Sequence, residues 1–265
     1  MSSSTLGIGP KSKEISLWAP GDLPFIKPGM DLAEIVLDTT RREQRPLVDG
    51  DVVVFAQKIV SKSENRLVNL EDVSPSQKAK ELAKICQKDA RLVEVVLSES
   101  KDVVRCIPGL IIVRHKLGFV VANAGVDHSN VKGASDGDWV LLLPEDPDLS
   151  AKNYCLTLRE AAGATVGVAI IDSWGRAWRM GTCGSCIGAY GVTTLSDLRG
   201  NPDLFGRTLE STVVGVGDEL AAAASLLMGQ SSEGLPLVVA RGTSLVASNG
   251  GAANLVRPIK EDLFQ

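Results

Sequence analysis

Strand-like runs recur along this chain without a helix reliably between them. DVVVFAQKIV, GLIIVRH, GFVVANAG, TVGVAIID and LPLVVARG are rich in β-branched or small apolar residues and are bounded by Gly, Pro, Asn or Asp. Such runs read as short buried strands. A doubly wound sheet would need a helical stretch after each one. Instead VVRCIPGLIIVRHKLGFVVANAG joins two or three strands by tight turns, as antiparallel hairpins do. Helical spacing appears elsewhere, in DLAEIVLDTTRRE with Asp31 as N-cap, SPSQKAKELAKIC, ARLVEVVLSES, LSAKNYCLTLREAAG ending at Gly163, and an Ala-rich stretch up to LLMG. CIGAYGVTTLSDLRG reads as a strand and a short helix. Strands and helices mixed in this way predict an α+β fold with mixed and antiparallel sheets.

Composition sets the material of the core. The chain has 265 residues, 44% hydrophobic but only 4% aromatic, so its core is built mainly from Val, Leu, Ile and Ala. Residues 1–14, rich in Ser, Gly and Lys, read as a flexible tail, and 15–265 as one domain. LPEDPDLS, around Pro144–Asp148, is a weak boundary that would divide that domain into two intertwined subdomains. A formal net charge of −4 argues against a nucleic-acid binder, which needs a basic stripe. Five cysteines, an odd number, and an N-terminus with no apolar leader favour reduced thiols and a cytoplasmic protein. No run approaches the roughly 20 apolar residues of a membrane span, so no membrane partner is expected.

Candidate chemistry gathers after two of the strands. NAGVDHSN presents Asp127, His128, Ser129 and Asn130 together, and IIDSWGRAWRMG presents Asp172, Ser173, Arg176 and Arg179. Each Asp is expected just past a strand end. Hard divalent cations take oxygen ligands, and Mg²⁺ often uses one or two carboxylates plus substrate phosphates. Arginines nearby suit phosphate or carboxylate recognition. Either Asp alone is better explained as a turn or helix cap; the two together, each with hydroxyl or amide neighbours, bring the two readings level. AQKIVSK places Gln57, Lys58, Ser61 and Lys62 on and after a strand, where lysines can meet phosphates or simply solubilise a strand end. LMGQSSEGLP reads, taken alone, as a helix end capped by Gly229 and a loop, though backbone N–H groups in such a turn can cradle an anion. CGSC, at Cys183 and Cys186, lacks a second pair at zinc spacing and reads as two small buried residues. The chain contains no Walker A loop, no G-x-G-x-x-G after a strand and no G-x-S-x-G.

These pieces, in this order, resemble one family. GDLPFIKPGMDLA, VVVFAQKIVSKSENR, NAGVDHSNV, IIDSWGRAWRMG, IGAYGV, DLFGRTLESTVVGVGDELAAAASLLMGQ and GLPLVVARG are similar to stretches of the coenzyme F420-0:L-glutamate ligases, or F420 gamma-glutamyl ligases. The resemblance implies a mixed α+β fold and a homodimer. It implies a reaction in which GTP activates a carboxylate of F420-0 as an acyl phosphate, which the amine of L-glutamate attacks; further rounds extend a gamma-linked tail. It implies two divalent ions, Mg²⁺ or Mn²⁺, with K⁺. Carried onto this sequence, Asp127, Asp172, Ser173 and Gln230 match metal-ligand positions. Leu23, Pro24, Phe25, Ile26, Gln57, Lys58, Lys62 and Asn130 match nucleotide-contacting positions. So does the loop Met228, Gly229, Gln230, Ser231, Ser232, Glu233, Gly234 and Leu235. Arg176 is expected, from its charge and placement, to hold the acyl phosphate or a substrate carboxylate. Ser173 stands where many members have Thr, and Gln230 where others have Glu.

Overall fold

The computed structural model describes residues 12–128, 138–247 and 250–262. In chain order the elements are β1 (Ser16–Trp18), α1 (Leu32–Arg42), β2 (Val52–Ala56), α2 (Gln57–Ser63), β3 (Leu67–Asn69), α3 (Gln77–Cys86), α4 (Ala90–Ser98), β4 (Ser100–Ile107), β5 (Leu110–His115), β6 (Val120–Ala122) and β7 (Trp139–Leu141). Then follow α5 (Pro147–Ala162), β8 (Gly167–Arg176), β9 (Arg179–Tyr190), β10 (Ser196–Asp197), β11 (Val213–Val214), α6 (Val216–Met228) and β12 (Leu237–Arg241). Most of the residues expected to form the N-terminal tail lie outside the described residues.

The main sheet has five strands in the order β1-β12-β2-β8-β9. Only β2 and β8 run parallel; the other pairs are antiparallel. This is the mixed sheet of an α+β fold. A separate antiparallel sheet, β4-β5-β6, forms the predicted hairpins. The strand runs alternate between two covered faces, so both faces are apolar. Val53, Phe55, Val168, Ile170, Leu237 and Val239 point to one side, against Leu32 and Val36 of α1 and Ala151, Cys155 and Leu158 of α5. Val52, Val54, Ala169, Ile171, Val238 and Ala240 point to the other, against Leu220, Ala221, Ala224 and Met228 of α6. The small residues of α6 allow a close approach: a Cβ on Gly184 would strike the backbone carbonyl of Ala221. Each fully buried Val, Leu or Ile contributes roughly 1.5–3 kcal/mol. Asp51, fully buried, accepts from Arg241 Nε and Nη2 at 2.8 and 2.7 Å, joining the start of β2 to the end of β12.

Local signals end the helices where the sequence says. Asp31 Oδ1 accepts from the N–H of Ala33 and Glu34, and Ser76 Oγ from that of Ala79. Gly163 closes α5 in the left-handed conformation at φ 63°. Three expectations are corrected. The strand in DVVVFAQKIV stops at Ala56, and QKIVSKS turns into α2 because Ile59 and Val60 bury against the main core. The strand expected to end at Asp172 runs on to Arg176 and pairs with β9. SDLRG is no helix: Ser196 and Asp197 pair with Val214 and Val213, and Asp197 holds Arg199. The weak boundary around Pro144–Asp148 is the N-terminus of α5, capped by Asp146, whose Oδ1 accepts from the N–H of Leu149.

Candidate active site

Asp172 sits where β8 leaves the sheet. The β2–β8 pairing ends at Ala56 and Ile171, so from Asp172 onward β8 keeps only β9 as a neighbour. The sequence places Asp172 past the strand, but it lies inside it, in register with Val168 and Ile170. Helix α2 begins directly after the last pair of β2, which brings Lys58 and Lys62, four apart on one helix face, to the same corner.

Asp127 arrives from the other sheet. After β6 the chain turns through Asn123, Ala124 and Gly125 at φ 50°, 53° and 66°. Non-glycine residues in this left-handed region cost about 1–3 kcal/mol each, a strain that clusters at functional sites. Gly125 is needed twice over: a Cβ there would also lie 2.8 Å from Leu143 Cδ1. Beyond the turn, Asp127 exchanges both backbone hydrogen bonds with Leu141, at 2.9 and 2.8 Å, which fixes its carboxylate. Lys58 Nζ donates to Asp127 Oδ2 at 2.6 Å.

The electrostatics show how tightly these groups crowd. Asp172 keeps some exposed surface, yet burial by surrounding protein pushes its carboxyl up to about 6. Asp127 pushes the same way, while the N–H of Ser173 and the ammonium of Lys58 oppose. Burial holds Lys62 below the usual lysine range, Lys58 adds to this, and Asp127 opposes it. Two carboxylates therefore share the field of Lys58. Lys58 pairs with Asp127 and its charge also reaches Asp172, and hard oxygen donors of this kind suit Mg²⁺ or Mn²⁺. Among the described residues no cluster of three or more His, Cys, Asp or Glu gathers as a metal site. Two carboxylates with substrate phosphates are nonetheless a sufficient set for Mg²⁺.

Ser173 and Gln230 form a second oxygen pair. Alternation along β8 turns Ser173 to the α6 face, where its Oγ donates to Gln230 Oε1 at 2.7 Å. Gln230 follows Gly229, which caps α6 at φ 70°. In the loop beyond, the Ser231 N–H donates to Glu233 Oε2 at 2.8 Å. Backbone N–H groups of Ser231, then of Glu233, Gln230 and Ser232, hold the Glu233 carboxyl below its usual range. The turn is thus a nest of N–H groups around an anion, and the anion is its own Glu233.

The remaining expected residues are scattered more widely. Leu23 and Ile26 pack onto the main core, and Phe25 beside them is 95% exposed. Gln57 is buried, its Oε1 accepting from Ser61 at 2.9 Å. Met228 is buried under the sheet. Arg176, at the end of β8, is exposed. Asn130 and Ser129 lie outside the described residues. Two rings that the sequence does not single out pack with Trp174, two positions beyond Asp172: His115 stacks on Phe119 with centroids 5.2 Å apart, and Phe119 meets Trp174 at 4.8 Å. Cys186 is buried and Cys183 partly so, and burial pushes the Cys186 thiol far up, as suits an inert packing residue.

Comparison with known proteins identifies the fold's relatives. The family model described as F420-0:gamma-glutamyl ligase matches residues 21–242. The coenzyme F420:L-glutamate ligase of Methanothermobacter thermautotrophicus is 42% identical over 253 residues, covering 95% of this chain and 99% of that protein. The enzyme of the same name from Methanopyrus kandleri is 48% identical over 217 residues, 82% of each chain. That of Archaeoglobus fulgidus is 44% identical, covering 92% of this chain and 93% of its own. With a match this long, the chain belongs to the F420-0:gamma-glutamyl ligase family.

Proposed function

We propose that this protein is a GTP-dependent ligase that joins L-glutamate to coenzyme F420-0 and extends a gamma-linked glutamate tail, as a step in making coenzyme F420. The observation that carries the reading is the corner where Asp127 and Asp172 share one lysine ammonium. In the reaction a carboxylate oxygen of F420-0 attacks the γ-phosphorus of GTP, and GDP leaves. The amine of glutamate then attacks the acyl carbon, phosphate departs, and the nitrogen gives up a proton. Phosphoryl transfer of this kind asks the protein for positioning and charge neutralisation more than for covalent help.

The chain's own groups fit that demand. Asp127 and Asp172 on one side of β8, with Ser173 and Gln230 on the other, would hold two divalent ions, Mg²⁺ or Mn²⁺. When bound, these ions neutralise phosphate charge and align the attacking and leaving oxygens. K⁺ belongs to the same reading. Lys58 and Lys62 meet phosphate oxygens as point charges. Arg176 offers a fork to the carboxylate or its phosphorylated form. The N–H nest at Gln230–Glu233 accepts a phosphate once the Glu233 carboxylate swings out. Leu23–Ile26, Gln57 and Asn130 complete the nucleotide contacts.

The reading extends to a homodimer. Trp178 and Met180 at the β8–β9 tip and Leu204 and Phe205 are each more than 90% exposed. Side chains of this kind would be covered if they met the same surface of a second copy. Light scattering should give twice the chain mass. Among the described residues no helix is long and apolar enough to cross a membrane.

The test is an omission series. F420-0, L-glutamate, GTP, Mn²⁺ and K⁺ are incubated with the protein, and products are weighed by mass spectrometry. The expected result is mass steps of one glutamyl residue that vanish when GTP or metal is left out. Glutamylation that persists without GTP, or none in the full mixture, would refute the reading.

A further inference from the structure

A cavity of about 1100 Å³ opens beside the carboxylate corner. Its walls come from β4, β5 and β6, from the start of α5, from the exposed end of β8 and from residues 252–257. The two strands that deliver the acids also build it. Ala122, the last residue of β6, lines it just ahead of the strained turn to Asp127. Trp174 lines it two positions beyond Asp172, on the same face of β8 and roughly 7 Å along the strand.

The lining has a particular chemistry. Phe119 and Trp174, in contact at 4.8 Å, form an aromatic wall propped from behind by His115. A partly open pair of rings suits a flat conjugated partner. Arg176 and Arg257 also line the cavity, and neither side chain has a hydrogen bond or ion pair among the described residues. Several acids at the same cavity are already engaged by backbone. Asp148 Oδ1 accepts from the N–H of Ala189 and Ala252, and Asp218 Oδ1 from that of Cys186. Arg114, which also lines the cavity, is paired with Asp102 at 3.4 Å, so Arg176 and Arg257 are the lining cations left to meet a ligand.

Size and position narrow the occupant. The volume lies just above the roughly 300–1,000 Å³ range of small-molecule sites, far more than one glutamate fills. None of Leu23–Ile26, Lys58, Lys62 or Met228–Leu235 lines it. The nucleotide positions of the ligase reading therefore leave it vacant for the other large substrate.

We propose that this cavity binds the carboxylate-bearing acceptor, a large anion whose flat conjugated ring lies on Phe119 and Trp174 and whose acidic tail is drawn by Arg176 toward Asp172. This assignment rests on the ligase reading. The decisive variant is Val104→Trp, because Val104 lines the cavity yet is 50% exposed on β4, so a larger side chain fills the space without disturbing the core. Trp174→Ala removes the aromatic wall itself. F420-0 and GTP are titrated separately into wild type and both variants by calorimetry, and thermal melts confirm folding.

The expected result is an F420-0 Kd raised at least tenfold in both variants, with the GTP Kd unchanged within twofold. Unchanged F420-0 affinity in a folded Val104→Trp protein, a parallel loss of GTP affinity, or no F420-0 binding to wild type would overturn the assignment. The two readings fail separately. Wild type that glutamylates F420-0 while Val104→Trp binds it normally retains the ligase and loses the cavity. Wild type that binds F420-0 in a Val104-sensitive way without glutamylating it retains the cavity and loses the ligase.

Discussion

The two halves of β8 make opposite uses of the same strand. From Gly167 to Ile171 every residue is buried, β2 and β9 pair on either side, and helices cover both faces. From Asp172 to Arg176 the β2 partner is gone, burial falls away, and the side chains become acid, hydroxyl, indole and guanidinium. The first half holds the fold, and its direction aims the second. Stability and chemistry are therefore separable by position along a single strand, and each half can be broken without the other.

The largest expected effect is on chemistry. Asp172→Asn keeps the shape and removes the charge. It should cut glutamyl transfer about a thousandfold, roughly 4 kcal/mol, in a steady-state assay. The melting temperature should hold or rise, because a carboxylate that burial disfavours has gone. A large fall in melting temperature would mean that both halves are structural.

Next comes the reverse experiment. Ile170→Ala, two residues earlier and fully buried, should cost about 2–5 kcal/mol in urea unfolding. At a temperature where the variant is folded, KM for GTP and F420-0 should be close to wild type. A raised KM would show that the halves are coupled.

The third sharpens the comparison at the aromatic prop beneath the exposed half. Burial, with help from Lys116, Arg66 and Lys101, lowers the pKa of His115 to about 4. The unfolded value is near 6.5, so between these the unfolded chain binds the extra proton. Stability is then full above about pH 6.5 and falls as the pH drops toward 4, by up to about 3 kcal/mol. Unfolding curves across that window should show the loss, and His115→Gln should flatten it. An unchanged slope in the variant would assign the acid sensitivity elsewhere.

The smallest concerns the cover over the first half. Asp31→Ala removes the cap of α1 and should cost about 1 kcal/mol by urea unfolding, with turnover unchanged. A loss of turnover would place α1 closer to the chemistry than its packing suggests.

What could be read from the sequence follows the range of the forces involved. Asp31 and Gly163 announce their helix ends because capping acts within a few residues. The β-branched runs announced β2, β5, β8 and β12 because burial on both faces selects them. Helix α2 was hidden, since Ile59 and Val60 favour a strand locally and only the core, with the buried Ser61–Gln57 hydrogen bond, turns them into a helix. The β8–β9 extension was hidden because its residues look like a loop by polarity. The acids themselves were legible as residue types near Gly-rich turns. Their shared partner Lys58 was not, because β2 and α2 meet β6 and β8 only in three dimensions. The cavity had no sequence signal at all, being assembled from short pieces of several elements.

In the proposed function, the exposed half of β8 and the turn after β6 would jointly hold divalent metal. The direct measurement is a Mn²⁺ titration followed by electron paramagnetic resonance, with GTP present, on wild type, Asp127→Asn and Asp172→Asn. The account predicts two bound Mn²⁺ per wild-type chain and loss of at least one in each variant, with folding intact. Wild-type Mn²⁺ binding retained in both variants would contradict it.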